Sequence, residues 1–287
     1  MMTSFLHRVP LDLDRLGHDL ARAWELPLEQ PYAEFSAGTK WSGLMLWTPG
    51  GRAESGILAD YDFELPAQAT VHGRSLPYLS EVIEDNFVVD QLLFARMAVM
   101  REGTLLPHRD HIELERPSGR SPGSRLHLPL ETHENALFFE EGTVFRMRRG
   151  EVWSLDVRRL HSAAVFGPAA RIHLLLDFAG AGPLESMVRF EIAGAPGIPG
   201  THVVDRPDPR QAEMEGLASL SAVIDPDNID EITAILIKKA YRTRVGADFV
   251  WNSLRSVAAA SAYPELVRRV SDLELHCTLG VPSESAR

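Results

Sequence analysis

Between residues 91 and 180, apolar and polar positions alternate in short runs broken by Gly and Pro, the period of β-strands rather than helices. In residues 91–100, Leu93, Ala95, Met97 and Val99 take one parity, and Leu92, Phe94, Arg96 and Ala98 the other. Residues 41–47 alternate loosely and stop at Pro49-Gly50-Gly51. Phe138-Phe139 runs into Glu140-Glu141-Gly142-Thr143, a hairpin signal with its return strand over 144–147. Arg149-Gly150-Glu151 is a turn before the strand 152–156. Residues 67–78 read as loop, followed by a short helix ending near Asn86. This density of short strands and turns from about 33 to 180 predicts a β-sandwich of jelly-roll type.

The flanks have a helical period. Leu13, Leu16, Leu20 and Trp24 share one face behind Asp12, which reads as an N-cap, and Pro27 and Pro31 end that helix. Residues 180–200 are rich in Gly, Ala and Pro, and Arg206-Pro207-Asp208-Pro209 reads as a linker. Asp225-Pro226 then opens a helix carrying Ile229, Ile232 and Leu236. Residues 249–260 form a second, and Pro264 opens a third with Leu266, Val270, Leu273 and Cys277 on one face. The expected class is mostly β with α. A double-stranded β-helix (jelly-roll or cupin-like) core carries flanking N-terminal helices and a small C-terminal helical domain. The expected division is residues 1–205 and 206–287, the second unit being structural or a dimerisation surface.

Composition narrows the classes. The chain has 287 residues, 45% hydrophobic and 24% charged, ordinary for a globular protein. A formal charge of −11 argues against nucleic acid and anionic membrane as partners. One cysteine, Cys277, allows no intrachain disulfide. The first residues lack a signal-peptide pattern, and no apolar run approaches the ~20 residues of a membrane span. A cytoplasmic protein, monomer or homodimer, is expected.

Candidate chemistry concentrates between residues 105 and 178. His108 and Asp110 are two apart, so on a strand both point to one face, and Ile112 and Leu114 continue that parity as wall residues. His161 follows about fifty residues later. Two imidazoles and one carboxylate on one side of a metal leave three positions open, the arrangement of non-haem Fe(II) sites that activate O2. Arg171, ten positions after His161, reads as a clamp for 2-oxoglutarate. The segments around His161 and Arg171 are expected to pair as antiparallel strands, with Phe166 opposite Arg171. About five residues, roughly 16 Å of strand, then separate His161 from Arg171. That gap suits a five-carbon diacid chelated at one end and ion-paired at the other.

Taken singly, each residue also has a plainer reading. A lone His-x-Asp is weak, His161 could be a hydrogen-bonded core histidine, and Arg171 a surface charge. Arg96 is either an outward charge or a cation in the pocket for a substrate carboxylate. Arg125, His127 and Pro129 share one strand parity. Trp153 is either a wall of the site or a buried core residue. His111 and His133 read as solvated or structural. Residues 115–124, rich in Arg, Ser, Gly and Pro, read as a lid beside the ligands.

Taken together the chain resembles the bacterial free-amino-acid hydroxylases of the proline cis-3 and cis-4 type, within the aspartyl/asparaginyl β-hydroxylase superfamily. The resemblance runs through Leu11-Asp12, Arg15-Leu16-Gly17, Asp19-Leu20, Glu34-Phe35-Ser36 and Pro77-Tyr78-Leu79. It continues through Pro107-His108-Arg109-Asp110, 151–156, His161-Ser162-Ala163, Arg171 and Asp177-Phe178. It implies Fe(II) on His108, Asp110 and His161, and 2-oxoglutarate as co-substrate on Arg171. Arg125-Leu126-His127 matches an Arg-x-His pair that contacts co-substrate carboxylate or substrate. The implied reaction uses O2 to hydroxylate a ring carbon of a free cyclic amino acid, L-proline or its six-membered homologue L-pipecolic acid. Succinate and CO2 are the co-products, and the substrate carboxylate lies on Arg96 or Arg125. Two other readings stay open: hydroxylation of Asp or Asn in a peptide or carrier-bound residue, and a non-catalytic jelly-roll binding protein.

Overall fold

A computed structural model describes residues 3–53, 55–110, 122–180, 182–193 and 196–279. In chain order the elements are β1 (Ser4–Arg8), α1 (Leu13–Ala23), β2 (Ser36–Ala37), β3 (Ser42–Pro49), β4 (Ala67–Ala69), α2 (Val71–Ser75) and α3 (Pro77–Asn86). There follow β5 (Leu92–Met100), β6 (Gly103–Leu105), β7 (Pro122–Glu131), β8 (Ala136–Glu140), β9 (Thr143–Phe145), β10 (Glu151–Leu155), β11 (His161–Val165) and β12 (Arg171–Ala179). The chain closes with α4 (Gln211–Ala218), α5 (Ile229–Arg242), α6 (Phe249–Ala259) and α7 (Glu265–Leu279).

Two antiparallel sheets face each other. One has the order β1-β10-β7-β12-β5-β3-β4 and the other β2-β6-β11-β8-β9. Strand parity sorts their side chains into three apolar layers. On β12, Ile172, Leu174, Leu176 and Phe178 pack outward against α1 and α3, with Leu16, Leu79 and Val82 opposite them. Met100, Phe138, Phe145, Trp153 and Val165 fill the space between the sheets. Leu137, Phe139 and Ala164 face outward onto α5, α6 and α7, where Leu236, Trp251 and Val270 are buried. Each such side chain contributes about 1.5–3 kcal/mol when fully buried. The β8–β9 hairpin turns through Glu141 and Gly142 at φ 46° and 85°, the paired positive values of a type I′ turn. This is the expected jelly-roll architecture. No helix among the described residues is long and apolar enough to cross a membrane.

Several local expectations are corrected. Asp12 does cap α1, accepting from the amides of Asp14 and Arg15. The buried face, however, is Leu16, Asp19 and Ala23, while Leu13 and Trp24 are exposed. Asp19 turns inward because its carboxylate accepts from the Leu79 amide at 2.8 Å. Residues 67–78 hold β4 and α2 rather than loop, with Thr70 capping α2. β1 joins the sheet edge on β10 and carried no period long enough to announce itself. Asp225 accepts from the amides of Asp227 and Asn228 in a turn, so α5 begins only at Ile229. Arg206 is buried rather than on a linker: its guanidinium donates to the carbonyls of Gly142, Ala240 and Thr243, tying the hairpin to α5.

The largest correction concerns β11 and β12. They do not pair. β11 lies between β6 and β8, whereas β12 lies between β5 and β7 in the opposite sheet. The turn at 166–170 carries the chain across the sandwich, so Arg171 faces His161 across the interior instead of standing further along the same ladder. Arg171 is in register with Met100, not Phe166. The readings of His111, Ile112 and Leu114 and the lid expected over 115–124, as far as residue 121, lie outside the described residues, while 122–124 belong to β7 rather than to a loop.

Candidate functional site

The ligand strand is a continuation of β6. His108 and His161 exchange backbone hydrogen bonds, the amide of each donating to the carbonyl of the other at 2.9 and 3.0 Å. Their rings therefore stand side by side, with centroids 4.4 Å apart. The Asp110 amide donates to Val157 at 2.9 Å, which brings the carboxylate to the same point. Asp110 Oδ1 lies 3.3 Å from His108 Nε2 and 3.8 Å from His161 Nε2. One ligand atom from each of the three residues falls within 4.8 Å of the others.

The ring tautomers follow from the partners. His108 Nδ1 lies 2.7 Å from the Leu106 carbonyl and His161 Nδ1 lies 2.9 Å from that of Arg159. A carbonyl can only accept, so each Nδ1 carries a proton and each Nε2 is turned toward Asp110. Burial, reinforced by His108, pushes His161 down to about 4, so its ring is neutral at ordinary pH. Burial opposes the charge on Asp110, but Arg125 and the two histidines outweigh it and hold the carboxyl well below its usual range. Two imidazole nitrogens and a carboxylate oxygen thus converge on one point. Two imidazoles and a carboxylate with open positions are the donors that suit ferrous iron. The residues fit that metal.

Arg171, His127, Arg125 and Arg96 all line the same cavity of about 250 Å3, together with the three ligand residues. Arg171 enters from the opposite sheet and donates from Nη2 to His173 Nδ1 at 3.1 Å. Its guanidinium stands over the Phe138 ring, 5.9 Å from the centroid. Burial pushes it down to about 10, still cationic at neutral pH. Burial, and then Arg171 itself, hold His127 and His173 well below the usual imidazole range, so both are neutral. Arg125 is engaged on two sides: Nη1 donates to Asp110 Oδ2, and Nε donates to Asp177 Oδ1 at 2.6 Å. Arg96 faces the cavity rather than solvent, 3.8 Å from Asp177 Oδ2 and 5.9 Å from the Trp41 ring centroid.

Trp153 is not brought to this cavity. It lies on β10 in register with His127, but its indole is fully buried against Phe5 and Phe145, at centroid distances of 5.8 and 5.5 Å. Its Nε1 donates to Glu151 at 3.2 Å. The wall role is therefore replaced by the core one. His133 lies outside the site and bonds the Ala169 carbonyl at 2.9 Å. Sequence reasoning did not assign His173, Asp177, Trp41 or Phe138. The first two share the parity of Arg171 on β12, which was a signal in plain view.

The comparisons agree with this geometry. Residues 12–180 match the family model of aspartyl/asparaginyl beta-hydroxylases, and residues 191–279 match that of the L-proline 3-hydroxylase C-terminal region. The chain is 30% identical over 275 residues to L-proline cis-4-hydroxylase of Rhizobium meliloti (strain 1021), covering 96% of this chain and 95% of that one. It is 33% identical over 274 residues to L-proline cis-3-hydroxylase 1 of Streptomyces sp, covering 94% and 92%. It is 32% identical over 279 residues to L-proline cis-3-hydroxylase 2 of Streptomyces sp, covering 95% and 93%.

Proposed function

Because the chain belongs to the aspartyl/asparaginyl β-hydroxylase family, we propose that it is an Fe(II)- and 2-oxoglutarate-dependent dioxygenase acting on a free cyclic amino acid. It hydroxylates a ring carbon of L-proline or of L-pipecolic acid, with succinate and CO2 as co-products. The observation that carries this reading is the convergence of two imidazoles and a carboxylate on one point of a cavity that also holds the Arg171 cation. The relatives' names support the substrate class.

His108, Asp110 and His161 would hold iron. Bound iron, with 2-oxoglutarate and O2, supplies the oxidising power for C–H hydroxylation; the protein supplies position and a dry site. Arg171 binds the distal carboxylate of 2-oxoglutarate through charge-assisted hydrogen bonds. His173 orients that guanidinium by accepting from it, and Phe138 supports it from beneath. Arg125, with both flanks on carboxylates, fixes the second oxygen of Asp110 so that Oδ1 points to the histidines. Arg96, beside Trp41 and paired with Asp177, or Arg125 takes the amino-acid carboxylate. The volume of about 250 Å3 suits a small acid and a small amino acid rather than a folded peptide.

The test is succinate release from 2-oxoglutarate with Fe(II) and a panel of free amino acids and short Asp- or Asn-containing peptides. Stimulation by proline or pipecolate, with a product heavier by one oxygen, is expected. Turnover with peptides alone would move the assignment to the peptide hydroxylases, and no turnover with either would favour a binding protein.

A further inference from the structure

We propose that the C-terminal helices are part of the metal centre: they close the open edge of the ligand strand and set the positions of His108, Asp110 and His161. This rests on the reading of those three residues as a metal site.

β6 ends at Leu105 and the chain bends at Pro107 before His108 bridges His161, so one edge of residues 103–110 is taken by β11 and by Val157. On the other edge β2 pairs with Leu105, and the Leu106 amide donates to Phe35 at 2.7 Å. The next two groups on that edge are the Pro107 carbonyl and the Arg109 amide, which flank His108. A buried strand edge without partners is costly, each unmade bond amounting to a lost hydrogen bond. The helices supply what β2 does not. Trp251 of α6 donates from its indole Nε1 to the Pro107 carbonyl at 3.1 Å. The Arg109 amide donates to the Cys277 carbonyl of α7 at 2.9 Å. Cys277 lies on α7, on the buried face that also carries Leu266 and Val270.

Two further contacts act the same way. Tyr241 of α5 and Ser162 share a hydroxyl hydrogen bond of 2.7 Å in the buried interior, next to His161 in sequence. The Phe35 ring stands between His108 and His276 of α7, its centroid 5.2 Å from each. Pro107, Arg109 and Ser162, each next to a ligand in sequence, thus have a partner on α6, α7 and α5 respectively. Ligand atoms from three separate chain positions stay within 4.8 Å of one another only if their backbones are held in place. Trp251 and Tyr241 are positioning residues in this sense, acting through Pro107 and Ser162.

The experiment uses the full chain and Mn(II), a divalent ion that suits the same donors without turnover. Mn(II) affinity is measured by titration calorimetry, and the melting temperature with and without Mn(II), for the wild type, Trp251→Phe and Tyr241→Phe. Trp251→Phe should weaken Mn(II) binding about tenfold, as loss of an outer partner does at metal sites. Tyr241→Phe, which removes one oxygen from a packed ring, should weaken it about threefold. Both should shrink the stabilisation by Mn(II) more than they lower the metal-free melting temperature. Unchanged Mn(II) affinity with only a lower metal-free melting temperature would overturn the proposal, since a purely structural role predicts that. If Trp251→Phe does not fold, Tyr241→Phe decides, with Ser162→Ala expected to give the same weakening and the double variant no more. A wild type that binds no Mn(II) overturns the metal-site reading itself; a wild type that binds, with variants that bind equally, overturns only the role of the helices.

Discussion

Asp177 holds Arg125 by its Nε at 2.6 Å, and Arg125 in turn grips Asp110, so a fully buried carboxylate on β12 is linked to a metal ligand through one guanidinium. Asp177 also lies 3.8 Å from Arg96, and is the shared counter-charge of two interior arginines. Asp177→Asn keeps the shape and removes the charge. Leaving buried arginines uncompensated should cost about 3–5 kcal/mol of stability. Arg125 should then let Asp110 rotate, so Mn(II) affinity falls as well. Urea unfolding and calorimetry check both; a variant as stable as wild type would show that the arginines do not depend on Asp177.

Arg171→Lys separates charge from shape. Lysine keeps a cation but loses the planar fork and the hydrogen bond to His173. A charge-assisted hydrogen bond is worth about 1.5–3 kcal/mol, so the KM for 2-oxoglutarate should rise roughly ten- to a hundredfold. Mn(II) affinity and the KM for the amino acid should hardly change. An equal rise in both KM values would place Arg171 at the substrate instead.

The parts of the site that were legible in the sequence are those governed by local period. His108 and Asp110 share a face because strands alternate, and the apolar runs on α6 and α7 mark buried faces. The pairing of β11 with β12 was misread because a turn reports only that the chain reverses, not that both strands stay in one sheet. In a jelly roll the reversal at 166–170 changes sheets, and this brings Arg171 over the ligands. The Arg125–Asp177 link joins residues 52 apart, and the Trp251–Pro107 bond residues 144 apart. No local pattern announces such contacts. Trp153 stayed open between the wall of the site and the core, because no local period says how deep along the sandwich a residue lies.

Trp153→Phe tests that last point. The indole touches Phe5 and Phe145 and donates to Glu151, away from the cavity. Losing the hydrogen bond and part of the ring volume should cost about 2 kcal/mol of stability. The KM values for 2-oxoglutarate and amino acid should stay within about twofold. A selective rise in the amino-acid KM, with stability intact, would return Trp153 to the wall of the site.

The neutral histidines beside Arg171 make stability depend on pH in a definite direction. Burial, and then Arg171, depress His127 and His173 well below the ordinary value of 6.5 in the folded protein. Below pH 6.5 the unfolded chain takes up protons on both rings that the folded chain refuses. Their contribution is therefore complete above 6.5 and is lost as the pH falls through the folded values. The slope is about 1.4 kcal/mol per pH unit for each ring while the folded ring stays neutral. Urea unfolding of the metal-free protein at pH 7.5 and 5.5 measures it, and His173→Leu should reduce the difference by about 1.4 kcal/mol. An unchanged difference would mean that His173 takes a proton in the folded state, which the donor Arg171 Nη2 at 3.1 Å from its Nδ1 forbids.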